Sequence, residues 1–338
     1  MTRLAEVTRG GIVESVHEGM IAVVDVEGRL VASLGDPNAV IFYRSSAKPF
    51  QAIPVVESGA ADRFGFTPAE LALCCASHHG SLMHQDQVLG LLAKLDLDPG
   101  ALQCGSPLPG DDDELGRVLD GVTPRSPLHC DCSGKHTGML ATALHLGFPI
   151  EGYLELEHPV QQRILQVMAE VCRVPESSFV LGTDGCSVPT FAAPISAFAQ
   201  SYATLAAPEQ APDGTGNQYA ETLNRLRAAM ITYPENVSER RLARGIDHAR
   251  RAGDFVCKSG AEGLMCIGVP AAGLGIAIRV ADGSYRAHPV AVVSVLEQLG
   301  LIRSEQTDAI LMAHPTQIRN HNGRHVGDIR AAFELTMH

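Results

Sequence analysis

An α+β fold is predicted by three features of this chain: strand-like alternation near its N-terminal end, short β-branched runs near its C-terminal end, and helical periodicity between them. From Gly11 to Leu34 apolar and polar residues alternate around Ile21-Ala22-Val23-Val24-Asp25-Val26, then Glu27-Gly28, then Leu30-Val31-Ala32. That pattern reads as a hairpin turning at Gly28. From Phe255 onward, Phe255-Val256-Cys257-Lys258, Leu264 to Val269 and Gly275 to Val280 are short, apolar and β-branched, and Asp282-Gly283 supplies a turn. Strands at both ends imply one antiparallel sheet shared by the N- and C-terminal segments, with a mainly helical region packed against it. The expected division of the single unit 1–338 is a sheet part of residues 1–60 and 253–338 and a helical part of residues 61–252.

The elements between follow from local chemistry. Phe42 to Ser58 reads as a helix that tolerates Pro49 in its first turn. Thr67-Pro68-Ala69-Glu70 is a capping box with proline at the first helical position, so a helix runs to about Cys74. The polar segment Ala76-Ser77-His78-His79-Gly80-Ser81 reads as a loop, and Asp86 to Lys94 as a helix. Cys104 to Arg125, rich in Gly, Pro and Asp, reads as an irregular exposed loop with Asp111-Asp112-Asp113 solvated. Cys132 to Leu146 starts and carries a helix closed by Gly147. Pro159 opens another, with Val160, Ile164, Val167, Met168 and Val171 on its apolar face. Thr190 to Ala206 and Tyr219 to Ile231 read as helices on either side of a Pro/Gly-rich break, and Val290 to Leu299 as a last one.

With 45% hydrophobic and 19% charged residues among 338, the chain has ample material for a core. Its formal net charge of −12 argues against a nucleic-acid or anionic-membrane partner. No apolar run reaches the roughly 20 residues of a membrane span, and the first residues lack an apolar leader segment. The expected location is the cytoplasm. There the nine cysteines, an odd number, would be reduced thiols without a disulfide framework.

Two short segments carry chemistry. Ser45-Ser46-Ala47-Lys48 reads S-x-x-K, and Lys258-Ser259-Gly260 sets a lysine beside a small hydroxyl residue and a glycine. In this order they match the acyl-transfer layout of penicillin-binding enzymes and β-lactamases. A serine hydroxyl is a poor nucleophile at neutral pH and needs an adjacent base. A lysine serves only if burial or a neighbouring cation lowers its pKa. An i, i+3 spacing on a helix brings the two side chains to one face. Taken alone, the first segment describes an N-capping serine and a solvated lysine equally well.

Further segments narrow the choice: Tyr43-Arg44-Ser45-Ser46-Ala47-Lys48-Pro49-Phe50-Gln51, Ala76-Ser77-His78-His79-Gly80, Cys132-Ser133-Gly134-Lys135-His136, Asp184-Gly185-Cys186 before Pro189, and Cys257-Lys258-Ser259-Gly260-Ala261-Glu262-Gly263. Together they resemble the asparaginase II family, the thermolabile or Rhizobium-type L-asparaginases, from about Val13 to Phe333. The resemblance implies a penicillin-binding/serine β-lactamase-like fold and hydrolysis of the side-chain amide of L-asparagine. It implies two Ser–Lys pairs, Ser45 with Lys48 and Ser77 with Lys258. Ser45 would be the nucleophile, and Lys48 would be held partly neutral by the second lysine. It also implies one Zn²⁺ per chain on Cys132, Lys135 and Cys186, with water as the fourth ligand. Arg44, Asp184, Ser259 and Gly260 would bind substrate. Two thiolates suit Zn²⁺, whereas a lysine must first lose its proton. A homodimer is expected because symmetric dimers are the commonest assembly.

Departures from the family pattern fall close to these positions. Ser81 stands where the family has glutamate, and Ser187 where it has glycine. Cys130-Asp131 precedes the first zinc cysteine, and Ser238-Glu239-Arg240-Arg241 replaces a glycine-containing turn. They keep two alternatives open: a penicillin-recognising hydrolase or an amidase on a related amide, and a non-catalytic relative that binds an amino acid or zinc. His78, His79 and His84 read as loop histidines, Arg240 to Arg251 as a solvated helix face, and Gly273-Leu274-Gly275 lacks the context of a dinucleotide fingerprint.

Overall fold

The structure is a computed structural model that describes residues 2–237 and 255–338. Ser238 and the basic run Arg240 to Arg251 lie outside the described residues. The chain divides into two compact units. One comprises Met1–Ser46, Ala193–Ala211 and Arg241–His338, the other Ala47–Ala192 and Pro212–Arg240.

In the first unit, segments from both ends of the chain form one antiparallel sheet, as the alternation predicts. Ile12–Asp25 lies at its centre and pairs with Thr2–Arg9 along its first half. Its second half pairs with Leu30–Leu34 on one edge and Leu274–Val280 on the other. Leu264–Val269 and then Val256–Gly260 extend the sheet on the Leu274–Val280 side. His325–Ala331 pairs with Thr2–Arg9 on the other side, and Gln317–Arg319 follows it. The central hairpin turns at Gly28, whose φ of 99° suits a residue without a Cβ.

Side chains alternate across this sheet, and the alternation decides what covers each face. Ile21, Val23, Met265, Ile267, Ile276 and Ile278 pack into one core with Val290, Ala291 and Val295 of the helix His288–Gln298. The opposite face carries Ala22, Ala277, Cys266, Gly268 and Gly275, and there the helix Ile195–Ala206 lies against the strands. The approach is backbone to backbone: a Cβ on Gly275 would stand 1.8 Å from the Ala199 carbonyl oxygen. Lys258 pairs with Cys266 in register and so shares this close-packed face.

The second unit is mostly helical. At its centre runs Ser133–Leu146, buried from Ser133 through Ala143 and closed by Gly147 at φ 71°. Its small and apolar residues Gly134, Gly138, Met139, Leu140, Ala141 and Ala143 let it sit inside the unit, where its contacts include the helices Pro68–Cys74, Leu82–Lys94 and Pro159–Cys172. The capping box at Thr67 and Glu70 forms as the sequence predicts. Phe42 to Ser58 forms a 3₁₀ turn, Arg44–Ala47, and two short helices, Lys48–Gln51 and Ile53–Glu57, instead of one helix. Pro49 and Pro54 remove donors that a continuous helix would need.

Two further sequence expectations are corrected. Asp112–Leu119 is a helix inside the segment read as loop, because Asp111 caps it by accepting from the Glu114 N–H and the acids favour its N-terminus. Pro189–Pro194 is a strand antiparallel to Val180–Thr183, so the helix expected from Thr190 begins only at Ile195. Among the described residues no helix is long and apolar enough to cross a membrane. All nine cysteines are buried and outside disulfides.

Candidate active site

Each expected Ser–Lys pair has one member in each unit: Ser45 and Lys258 in the first, Lys48 and Ser77 in the second. Inside the first unit the Ser45 turn is fastened to the strand that carries Lys258. Ser46 Oγ donates to the Lys258 carbonyl at 3.0 Å, and the Tyr202 hydroxyl donates to the Ser46 carbonyl at 3.0 Å. Tyr43 stacks on Phe198, with ring centroids 3.8 Å apart, and hydrogen-bonds Ser201. Gly260 is required here because a Cβ would come within 2.9 Å of both Ser46 Oγ and the Tyr43 carbonyl. Arg44, just before Ser45, holds a left-handed φ of 50°. Strain of that kind in a non-glycine residue gathers at functional turns. Ser45 is half-buried, whereas Lys258 is fully buried and donates through Nζ to the Ser259 carbonyl at 2.9 Å.

Inside the second unit Lys48 and Ser77 meet. Lys48 opens the short helix Lys48–Gln51 with no exposed surface. Its Nζ donates to Ser77 Oγ at 2.9 Å and to Asp131 Oδ2 at 3.2 Å. Ser77 follows the helix Pro68–Cys74, and its backbone N–H donates to the Val237 carbonyl. The loop after it is stitched to the segment before Ser133–Leu146. The His78 N–H donates to the Asp131 carbonyl at 3.3 Å, and Gly80 at φ 70° lies where a Cβ would meet the His129 carbonyl.

The loop histidines differ from expectation. His78 and His84 are buried and stacked, with centroids 4.9 Å apart. His78 Nδ1 accepts from the Gly80 N–H, so Nε2 carries the proton and donates to Ser133 Oγ at 2.8 Å. Burial, then His84 and Lys48, keeps His78 neutral. Ser81, the departure from glutamate, hydrogen-bonds His84 Nδ1 at 2.8 Å at the start of the helix Leu82–Lys94.

The Lys48 pKa shifts in the direction opposite to the one the resemblance implies. Burial works against the ammonium, but the Asp131 carboxylate and the Cys132 sulfur outweigh it and raise the lysine pKa. Lys48 is therefore protonated in this arrangement. Spacing alone could not reveal this, because the residue responsible lies 83 positions away. Asp131, part of the departure Cys130-Asp131, is the contact of Lys48 that motif spacing does not reveal.

The three residues implied as metal ligands lie in the second unit and converge. Cys132 and Lys135 sit at the start of the helix Ser133–Leu146. Cys186 lies on the turn between Val180–Thr183 and Pro189–Pro194, which closes through the Ser187 N–H donating to the Asp184 carbonyl. Ser187 there takes φ 75°, a glycine-favouring conformation. Lys135 Nζ donates to Cys186 Sγ at 3.1 Å. The neighbouring Cys130 and Cys186 thiols hold the Cys132 thiol well below the usual range, with Lys48 and Lys135 adding to the effect. Asp184 is half-buried, its Oδ2 3.8 Å from Cys186 Sγ.

The sequence pattern of the family described as L-asparaginase II matches residues 5–331. No curated protein matches the chain. Among solved structures, Mglu in its native form is similar at 13% identity with a TM-score of 0.46, over 85% of this chain and 66% of that chain. A beta-lactamase from Mycobacterium bovis is similar at 14% identity with a TM-score of 0.40, over 88% of this chain and 94% of that chain.

Proposed function

Because the chain belongs to the asparaginase II family and is thus an amidohydrolase of small amides, we propose that it hydrolyses the side-chain amide of L-asparagine to L-aspartate and ammonia through serine and lysine. The observation that carries the reading is the contact of buried Lys48 with Ser77 at 2.9 Å, backed by Asp131.

In the proposed chemistry Ser45 Oγ attacks the amide carbonyl and its proton passes to Lys48. Lys48 first gives up its own proton to the Asp131 carboxylate, since an ammonium cannot accept one. The nitrogen leaves as ammonia once protonated, and water then hydrolyses the acyl-serine. Ser77 relays protons to and from Lys48, and Lys258 adds positive charge. Arg44 would pair with the substrate carboxylate in a bidentate fashion and Asp184 with its ammonium. Ser259 and Gly260 would line the same substrate site. A second reading exchanges the serines: Ser77 attacks, favoured by its direct hydrogen bond to Lys48.

For the implied zinc, the sulfur donors fit. The Cys132 thiol is held well below the usual range, which favours the thiolate, and Cys186 is a neighbouring thiol. Lys135 fits less well, because it donates a proton toward Cys186 and would ligate only after losing one. Cys132, Cys186 and Lys135 would hold Zn²⁺, which when bound supplies a concentrated positive charge beside the lysines.

The test is ammonia release from L-asparagine, L-glutamine and a panel of amide analogues by the full chain. Turnover is expected to be fastest on L-asparagine. Turnover confined to another amide would move the substrate assignment, and ligand-raised melting temperature without ammonia from any amide would support the non-catalytic alternative.

A further inference from the structure

Beside the loop that carries Ser77, the second unit buries a carboxyl group that the proposed chemistry does not use. Glu114, on the helix Asp112–Leu119, is 1% exposed, and His129, on the short turn Pro127–His129, is 2% exposed. His129 Nδ1 accepts from the Ser126 N–H at 3.2 Å, so its proton sits on Nε2. That nitrogen faces Glu114 Oε1 at 3.6 Å, and Arg117 Nε lies 3.4 Å from Glu114 Oε2. Neither contact is a hydrogen bond: among the described residues both Glu114 oxygens and His129 Nε2 lack a partner of that kind. A buried carboxylate without hydrogen bonds costs free energy. Polar groups kept in an interior at such a cost gather where function needs them.

The segments that bring the pair together are the ones that hold the Ser77 loop. The Gly110 and Asp111 N–H groups, just before Glu114, both donate to the His79 carbonyl, at 2.8 and 2.9 Å. Asp111 in turn caps the helix that carries Glu114. From the other segment, His129 lies so close to Gly80 that a Cβ there would stand 2.8 Å from the His129 carbonyl oxygen. The His78 N–H donates to the Asp131 carbonyl at 3.3 Å. Residues 110–114 and 126–131 thus both grip the loop, and Glu114 and His129 are the side chains that join them.

We infer that Glu114 is a positioning residue for Ser77, drawing His129 and residues 126–131 toward residues 110–114 and so clamping the loop that both segments hold. The clamp is separable from the fold, because removing Glu114 leaves no buried charge unpaired. Arg117 keeps 49% of its side chain accessible, and His129 already commits Nδ1 to Ser126. An apolar residue of similar size in place of Glu114 therefore leaves stability unchanged or higher, while the loop loosens.

This inference rests on the reading that Ser77 serves amide hydrolysis, and the experiment separates the two. Glu114→Leu and Glu114→Gln are compared with wild type, each as the full chain, by ammonia release from L-asparagine, melting temperature and amide hydrogen exchange. Glu114→Leu is expected to keep or exceed the wild-type melting temperature. Its kcat is expected to fall at least about tenfold, with KM within about twofold of wild type. Exchange at His78 and Gly80 should quicken at least about tenfold while the helix Ser133–Leu146 keeps its protection. Glu114→Gln, whose amide oxygen can still accept from His129 Nε2, should recover kcat to within about threefold of wild type. Wild-type kcat and loop exchange in Glu114→Leu would overturn the inference. A loss of rate that follows a fall in melting temperature, or a Glu114→Gln variant as slow as Glu114→Leu, would overturn it too. Wild type that releases no ammonia from any amide would sink the catalytic reading alone. Exchange then decides the clamp, quickened at His78 and Gly80 in Glu114→Leu if it holds and unchanged if it does not.

Discussion

Ser187 shows how a single residue records the geometry of its turn. It occupies φ 75° immediately after Cys186, where a Cβ crowds the following carbonyl. The family's glycine at this position has a physical reason, and the chain tolerates serine at a cost. Ser187→Gly is expected to raise unfolding stability by about 1 kcal/mol, measured by chemical denaturation. An unchanged or lower stability would mean that the serine side chain offsets the strain.

Lys48 makes the complementary case. Its raised pKa means that the contribution of the Lys48 ammonium to the fold is complete below the ordinary lysine range and is lost as pH climbs from there through the raised value, so the contribution is present at pH 7. Asp131→Asn is expected to cost about 1–3 kcal/mol at that pH, less than breaking a doubly buried pair, because Asp131 keeps 48% of its side chain accessible. No loss on thermal or urea unfolding at pH 7 would show that Lys48 is already neutral. At this scale Ser45, Lys48, Ser77, Lys258 and the residues proposed to hold zinc are legible as motifs. The charge on Lys48 is not, since it depends on Asp131, which folding brings from far along the chain.

At the scale of elements, periodicity served wherever one face is buried. The hairpin at Gly28, the strands from Val256 to Val280 and the helix Pro159–Cys172 follow from it, because burial of one face imposes a period of two or near four. It misled where composition hides the period. The alanines of Phe191-Ala192-Ala193 suit helix and strand alike, and only pairing with Val180–Thr183 decides for the strand. The glycines and prolines flanking Asp112–Leu119 mask a helix set by its cap. The closest packing is equally hidden, because Gly275 reads as an ordinary strand glycine until Ile195–Ala206 lies on it. Gly275→Ala is expected to destabilise the first unit by about 3 kcal/mol or to prevent its folding, since a methyl 1.8 Å from the Ala199 carbonyl must push helix and sheet apart. Hydrogen exchange at the strand Leu274–Val280 would register the change. Wild-type protection in that variant would show that the helix can shift freely.

For the whole molecule, the sheet joins the two ends of the chain, so the Ser45 turn near the start comes to rest on the Lys258 strand near the end through Ser46, Tyr43 and Gly260. That contact places two residues of a motif set more than 200 positions apart into one neighbourhood of one unit. The second unit does the same for Lys48, Ser77 and Asp131. The family assignment and this double convergence together support amide hydrolysis by serine and lysine. The most direct check is the rate of ammonia release from L-asparagine by Ser45→Ala, prepared with a melting temperature equal to wild type. Removing one hydroxyl leaves no large cavity, so the fold should survive, and the rate is expected to fall by at least about a thousandfold. Ammonia release at a near-wild-type rate from that variant would contradict the role of Ser45 as the attacking group.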